Sequence, residues 1–310
     1  MQRRVGLTLF FSMILSSCMA SSLSTPTPDV ELTPTPINTP APLYSIKVMS
    51  FNSLYGGGAD PEWEKKLQVM NSFWVGQDRL ANLKKFIKEV DPDILGLQEA
   101  AGWENGNPSV VQAVAEELGM NYYYLSEHKE SNYGPEIVQT EVLLSKFEIS
   151  EAENWIWSFQ KYEGYGLKTK ITIPGGDGIY IYVVHLNGNV RGDPHFEICE
   201  VNALLQHLHP YLQEKIIIMG DFNSDRTSEA FSTLNQVGLR PVQIESGWGI
   251  DQIWASPALV WSKTKWFKNV VVPIDISDHM PVAAEMEIYP DSKDLTPTVI
   301  ATPDLIDCNQ

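Results

Sequence analysis

Apolar residues recur along this chain in two rhythms. Tyr44-Ser45-Ile46-Lys47-Val48-Met49-Ser50-Phe51 alternates, the period of a strand with one buried face. Residues 79–90 instead carry Leu80, Leu83, Phe86, Ile87 and Val90, the three-to-four spacing of an amphipathic helix. Asp91-Pro92 closes that helix, because the residue before proline is pushed out of the helical region. The run Asp93-Ile94-Leu95-Gly96-Leu97-Gln98 reads as a short buried strand ending at Glu99. A second helix is expected over 110–118. Strands are then expected over 122–125, 141–145, 168–173 and 178–184, the last ending at His185. A helix over 197–211 precedes the apolar run Lys215-Ile216-Ile217-Ile218-Met219, a buried strand that stops abruptly at Gly220-Asp221-Phe222-Asn223. The remainder reads as a helix over 228–237, a strand opening at Ile250, and strands over 270–273 and 282–288. Helices and strands mix without strict alternation, which favours an α+β fold of mixed sheets covered by helices.

The two ends differ in character from this middle. Arg3 and Arg4 precede an apolar stretch over 5–15, too short to span a bilayer comfortably. Leu15-Ser16-Ser17-Cys18 resembles the bacterial lipobox, which implies cleavage before Cys18, lipid attachment there, and a membrane-anchored, extracytoplasmic protein. Residues 19–42 are rich in Ser, Thr and Pro, with Thr-Pro repeated five times. Such a tract cannot bury a core and suits an extended tether. The tail over 290–310 has the same character and is expected to be disordered. One folded domain, 43–289, lies between them.

Composition narrows the partners. The chain carries 22 Lys+Arg against 39 Asp+Glu, a formal net charge of −17. Lys84, Lys85 and Lys88 form the tightest basic group, on the polar face of the first helix. A long duplex is therefore a disfavoured ligand, although a bound cation can supply local positive charge on an acidic protein. Besides Cys18 there are only Cys199 and Cys308; this is no disulfide framework, and they read either as one bridge or as two free thiols.

The chemistry sits at the strand ends. Asn52, Glu99, His185, Asp221 with Asn223, and Asp278 with His279 all fall at or near the end of an expected strand, and Asp251 at the start of one. Carboxylates and amides at buried strand tips are costly to leave unpaired and suit a hard cation, a water or a phosphate. Met49-Ser50-Phe51-Asn52, Asp91 through Glu99, Val183-Val184-His185-Leu186, Gly220-Asp221-Phe222-Asn223-Ser224, Ile250-Asp251-Gln252-Ile253-Trp254 and Ser277-Asp278-His279-Met280-Pro281-Val282 together resemble the endonuclease/exonuclease/phosphatase superfamily.

That resemblance implies a four-layer α/β/β/α sandwich and divalent-metal-dependent hydrolysis of a phosphate ester. It implies Glu99 as the main metal ligand, helped by Asn52, with Asp278 beside the metal or its waters. Mg²⁺ suits so few oxygen ligands, and Mn²⁺ is able to substitute. Asp221 would orient or deprotonate the attacking water, and Asn223 would hold that water or a phosphate oxygen. His279, fixed by Asp251, would contact the phosphate or help activate the water, and His185 would stabilise developing charge or protonate the leaving oxygen. Two departures stand out. Glu141 replaces a small or amide residue, and reads either as a partner of His185 or as strand-surface charge. Gln252 stands where an aromatic is common, which would alter the local cleft wall.

Substrate choice is expected in two insertions, 55–78 and 151–167. The second holds Trp155, Trp157, Phe159, Tyr162 and Tyr165, which could pack in the core, stack on bases or meet lipid headgroups. Lys161, Lys168 and Arg191 are candidate phosphate contacts. The reading is a surface-anchored phosphodiesterase with nucleic acid as substrate. Its alternatives are a phosphatase or phospholipid phosphodiesterase of the same mechanism, and a non-catalytic surface lipoprotein.

Overall fold

A computed structural model describes residues 44–288, except 127–128, 131–137, 160–161, 175–177, 189–193, 226–227, 243–248, 257–258 and 264–274, together with Cys308. The signal and lipobox segment with Cys18, the Thr/Pro tract, Lys161, Arg191, the strand expected over 270–273 and all of the 290–310 tail except Cys308 lie outside those residues.

The strands of the two large sheets, in chain order, are β1 (Tyr44–Asn52), β2 (Ile94–Gln98), β3 (Tyr122–Leu125), β4 (Val142–Ser145), β5 (Glu148–Phe159), β6 (Tyr162–Thr172), β7 (Gly178–His185), β8 (Ile216–Asp221), β9 (Arg240–Pro241), β10 (Asp251–Ala255), β11 (Val260–Lys263) and β12 (Val282–Ile288); Lys129–Glu130 and Val138–Gln139 pair separately. The helices are α1 (Pro61–Met70), α2 (Arg79–Val90), α3 (Val110–Leu118), α4 (Pro194–Leu208) and α5 (Glu229–Gln236). Among the described residues two six-stranded sheets form, in the orders β11-β12-β1-β2-β4-β3 and β9-β10-β8-β7-β6-β5. Each is mixed: β1 and β2 run parallel in one, β7 and β8 in the other, and the remaining pairs are antiparallel.

The alternation in β1 explains the layers. Ile46 and Val48 enter the core between the sheets, with Ile181, Val183, Ile217, Met219 and Ile253. Met49 and Phe51 pack with Leu83, Phe86 and Ile87 of α2 and Val111, Val114 and Ala115 of α3. On the second sheet, Tyr182, Val184, Ile216 and Ile218 pack under Leu204, Leu205 and Leu208 of α4 and Phe231 and Leu234 of α5. Three apolar layers between four layers of secondary structure are the α/β/β/α sandwich expected from the sequence. Gly96 lets the sheets approach: a Cβ there would lie 2.8 Å from Met219 Sδ and 3.0 Å from Val183 Cγ2.

Two expectations about the periphery change. Residues 151–167 are not a loop insertion but most of the β5–β6 hairpin, paired along its length at the sheet edge. The sequence carries the reason: Trp155 and Trp157 share one strand face and are buried in the core beneath α4, and Tyr165 is buried too. These rings pack; they do not form an open stacking platform. The tail, expected to be disordered, is tied down at Cys308, which is disulfide-bonded to Cys199 of α4 across 109 residues and packs against the helix-covered core. Residues 40–310 form one compact unit, and no helix among the described residues is long and apolar enough to cross a membrane.

Candidate active site

Strand register brings the site together. Asp221 at the end of β8 is level with His185 of β7 on one side and with Asp251 of β10 on the other. In the facing sheet Asn52 ends β1 level with Gln98 of β2, so Glu99 emerges beside it. Asp278 and His279 precede β12, which pairs with β1 from Ser50 onward. The strand ends meet at one rim.

Asn52 joins the sheets. Its side-chain nitrogen donates to Glu99 Oε1 at 3.1 Å and to Asp221 Oδ2 at 3.0 Å, and its Oδ1 accepts from Leu54 N at 3.0 Å. Two carboxylates thus face one another across a single amide. Glu99 Oε2 accepts from Tyr55 N, and Asp221 Oδ1 from Asn223 N at 2.8 Å. Both Glu99 and Asn223 hold left-handed backbone, φ 53° and 49°. That conformation is disfavoured for residues with a Cβ and clusters at functional sites.

Two imidazoles face these carboxylates. His185 Nε2 lies 3.6 Å from Asp221 Oδ2 and 3.9 Å from Glu99 Oε1. His279 Nδ1 is 2.9 Å from Asp251 Oδ2 and 3.7 Å from Asp221 Oδ2. Burial pulls the His279 pKa down, but the bond to Asp251 and the charges of Asp251, Asp221 and Asp278 outweigh it, and the net shift is upward. The ring is therefore held as imidazolium, its Nδ1–H donating to Asp251. Burial raises Asp251, opposed by the bond to His279. Asp278 is the open member, its side chain 63% exposed and Oδ1 4.0 Å from His279 Nε2.

The carboxylate–imidazole cluster of Asp221, Asp251 and His279 has ligand atoms all within 4.8 Å of one another, close enough to hold a divalent ion. The donors around Glu99 fit a hard cation as well. Glu99 and Asp221 converge on one neutral amide, and the exposed Asp278 leaves room for waters, the coordination Mg²⁺ prefers.

The structure also decides the sequence departures. Glu141 is not surface charge: it is fully buried, accepts from Ser126 Oγ at 2.8 Å, and interacts electrostatically with His185. Burial pushes its carboxyl up to about 7 against those two influences. Gln252 does not line the cleft. Its amide nitrogen donates to Ser224 O and Gly249 O at 2.7 Å, and its oxygen accepts from Trp254 Nε1, so it pins the loop after Asp221. Lys168 is no phosphate contact either; it is buried, bonded to Glu153 Oε1 and Tyr211 Oη.

Arg79 was legible only as the start of a helix, yet it braces the site. Its buried guanidinium donates to Ser53 O, Leu54 O and Ile276 O and pairs with Glu64 at 2.8 Å. It thereby links the loop after Asn52 to the loop before Asp278. Ser277 adds a second link, its Oγ donating to Asn52 O at 2.8 Å. The signal was an arginine in register with the apolar stripe of α2. Glu200 had no such signal; on α4, buried, it accepts three hydrogen bonds from Asn187 and Gly188.

The fold has solved counterparts. An endonuclease/exonuclease/phosphatase from Beutenbergia cavernae superposes with a TM-score of 0.58 at 14% identity, over 79% of this chain and 72% of that one. The human Nocturnin catalytic domain, solved with a bound sulfate anion, gives 0.57 at 18%, over 78% and 93%. An endonuclease/exonuclease/phosphatase family protein from Bacteroides thetaiotaomicron gives 0.55 at 16%, over 80% and 99%. None of the curated proteins compared with the sequence matches it. The model of the Endonuclease/Exonuclease/phosphatase family matches residues 49–279, a span that opens just before Asn52 and closes on His279. With the catalytic-type Asp221–Asp251–His279 cluster inside that span, the chain belongs to the endonuclease/exonuclease/phosphatase family and is a phosphoester hydrolase.

Proposed function

We propose that this protein is a divalent-metal-dependent phosphodiesterase, anchored through Cys18 outside the cytoplasmic membrane, with short or single-stranded nucleic acid as its substrate. The observation that carries the chemistry is the meeting of Asp221, hydrogen-bonded through Asn52 to Glu99, with His185 and the Asp251–His279 pair. Hydrolysis of a phosphodiester needs a positioned water, neutralised phosphate charge and help for the leaving oxygen.

Glu99, with Asn52 and Asp278 beside it, would hold Mg²⁺ or Mn²⁺, and the bound ion would supply positive charge toward the phosphate. Asp221 orients the attacking water and takes its proton, while Asn223 holds that water or a phosphate oxygen. His279, kept charged by Asp251, neutralises the phosphate as negative charge builds. His185 donates to the leaving oxygen. Glu141, buried and interacting electrostatically with His185, fits the partner role expected as one alternative from the sequence. The acidic surface argues against a long duplex, and the Cys199–Cys308 bridge supports an oxidising compartment.

A second reading, a phospholipid phosphodiesterase, is favoured by one observation. Val69, Met70, Phe73 and Val75 are exposed on the segment that ends α1. The buried side of that segment, Leu67 and Trp74, packs on Leu54, whose N–H holds Asn52 Oδ1. Exposed apolar clusters of this kind mark interaction surfaces.

Hydrolysis by the chain from residue 43 onward tests both readings, assayed with Mg²⁺ or EDTA on single- and double-stranded DNA, RNA, sphingomyelin vesicles and inositol phosphates. EDTA-sensitive cleavage of single strands supports the first reading and cleavage of vesicle lipid the second. A folded chain that cleaves none of them would favour the binding-lipoprotein alternative or a phosphoester outside the panel.

A further inference from the structure

After His185 the chain leaves β7 as Leu186-Asn187-Gly188 and folds back over the loop that carries Asn223. The turn is gripped from both sides. Leu186 N donates to Asp221 O at 2.9 Å, and Leu186 O accepts from Asn223 Nδ2 at 2.8 Å. From beneath, Glu200 Oε2 accepts from Asn187 N and Gly188 N, each at 2.8 Å, and Oε1 accepts from Asn187 Nδ2 at 2.9 Å. Gly188 has φ +53°, and a Cβ there would lie 2.4 Å from Asn223 O and 2.6 Å from Ser224 Oγ. The turn therefore lies too close to the Asn223 loop for any side chain at position 188. Glu200 is 1% exposed.

A carboxyl so buried is costly unless its oxygens are used. Both are, and three donors converge on them from two consecutive residues. That arrangement fixes the peptide planes of the turn, and so the direction of the Leu186 carbonyl. The carbonyl in turn sets the side-chain amide of Asn223, which stands in left-handed backbone. Without the brace, the turn and the Asn223 amide have several orientations open to them. Groups at a reacting centre lose much of their effect when displaced by a fraction of an ångström.

We propose that Glu200 is a positioning residue for the hydrolysis, acting through the 186–188 turn and the Leu186 carbonyl to hold Asn223 in its working orientation. This rests on the phosphodiesterase reading above. Glu200 is buried beneath the turn, so its loss is expected in kcat far more than in KM.

Four proteins form a cycle: wild type, Glu200→Ala, Asn223→Ala and the double variant, assayed with bis(p-nitrophenyl) phosphate and Mg²⁺. Glu200→Ala is expected to lower kcat about 10–100-fold with KM changed less than about twofold. In the Asn223→Ala background the same change should cost less than about threefold, because its route to the reaction is already gone. Glu200→Gln should recover most of the wild-type rate, since one oxygen still accepts both backbone N–H groups and the Asn187 amide can turn to meet the other end. Equal losses in both backgrounds, or no rescue by glutamine, would overturn the proposal. If Glu200→Ala does not fold, Gly188→Ala takes its place in the cycle, disturbing the same turn from the other side. The NMR signals of the Asn223 side-chain amide keep the two claims apart. If wild type hydrolyses nothing, the phosphodiesterase reading fails; an Asn223 amide unchanged between wild type and Glu200→Ala or Gly188→Ala would sink the positioning claim independently.

Discussion

Replacing Glu141 by glutamine isolates the consequence of burying a carboxyl behind His185. Glu141 is fully buried; its Oε2 accepts from Ser126 Oγ, while Oε1 has no hydrogen-bond partner among the described residues. Burial pushes its pKa from the ordinary 4.5 to about 7. A folded-state pKa above the unfolded value favours the native state below pH 4.5, and that contribution is lost as pH rises through 7. Between pH 5 and pH 8 the loss from this one group is roughly 2–3 kcal/mol. Glutamine imitates the protonated carboxyl and has no such term. Urea unfolding of both proteins in EDTA, at pH 5 and pH 8, gives the comparison. The difference in stability between Glu141→Gln and wild type should move in favour of the variant by roughly 2–3 kcal/mol over that interval. The variant should also hydrolyse more slowly, since His185 loses a carboxylate neighbour. A difference in stability independent of pH would refute the burial argument.

Asp221→Asn should lower kcat by about 10²–10⁴-fold while leaving the unfolding midpoint nearly unchanged; a loss of less than about tenfold in rate assays would remove Asp221 from water activation. Arg79→Met strands Glu64 and leaves three backbone carbonyls without their donor, a cost of about 3 kcal/mol or more by denaturant unfolding; a change below about 1 kcal/mol would show that the loops do not depend on it. Cys308→Ser opens a bridge closing 109 residues, and in the chain-entropy view should cost at most about 4–5 kcal/mol. Equal midpoints for oxidised wild type and Cys308→Ser would mean the tail adds no stability.

Much of the architecture could be read from periodicity because the strands that carry the site are buried on both faces or alternate cleanly. β8 is the clearest case: four apolar residues, Ile216 to Met219, end in Gly-Asp, and that alone places Asp221 at a rim. The β5–β6 hairpin was hidden because its four glutamates and its tryptophans mimic a loop insertion, whereas pairing with β7 makes the alternation meaningful. Gln252 was misplaced for a related reason. Its identity suggested a changed cleft wall, but its register on β10 points it at Ser224 O, Gly249 O and Trp254. Glu141 lay open between two readings because a charge at a strand start is usually solvated, and only its place in the folded sheet, bonded to Ser126, shows that it is buried. Arg79 and Glu200 act through backbone atoms distant in sequence, and no local pattern records such partners.

Two sets of side chains at this rim are able to hold a cation, the group around Glu99 and the Asp221–Asp251–His279 cluster, and the proposed chemistry requires the first. Anomalous diffraction from crystals soaked in Mn²⁺ distinguishes them directly. A peak at coordinating distance from the Glu99 carboxylate, with Asp221 and His279 left free for water and phosphate, is the predicted result. A peak seated between Asp221, Asp251 and His279, or none at saturating Mn²⁺, would contradict the assignment of Asp221 as the group that activates water.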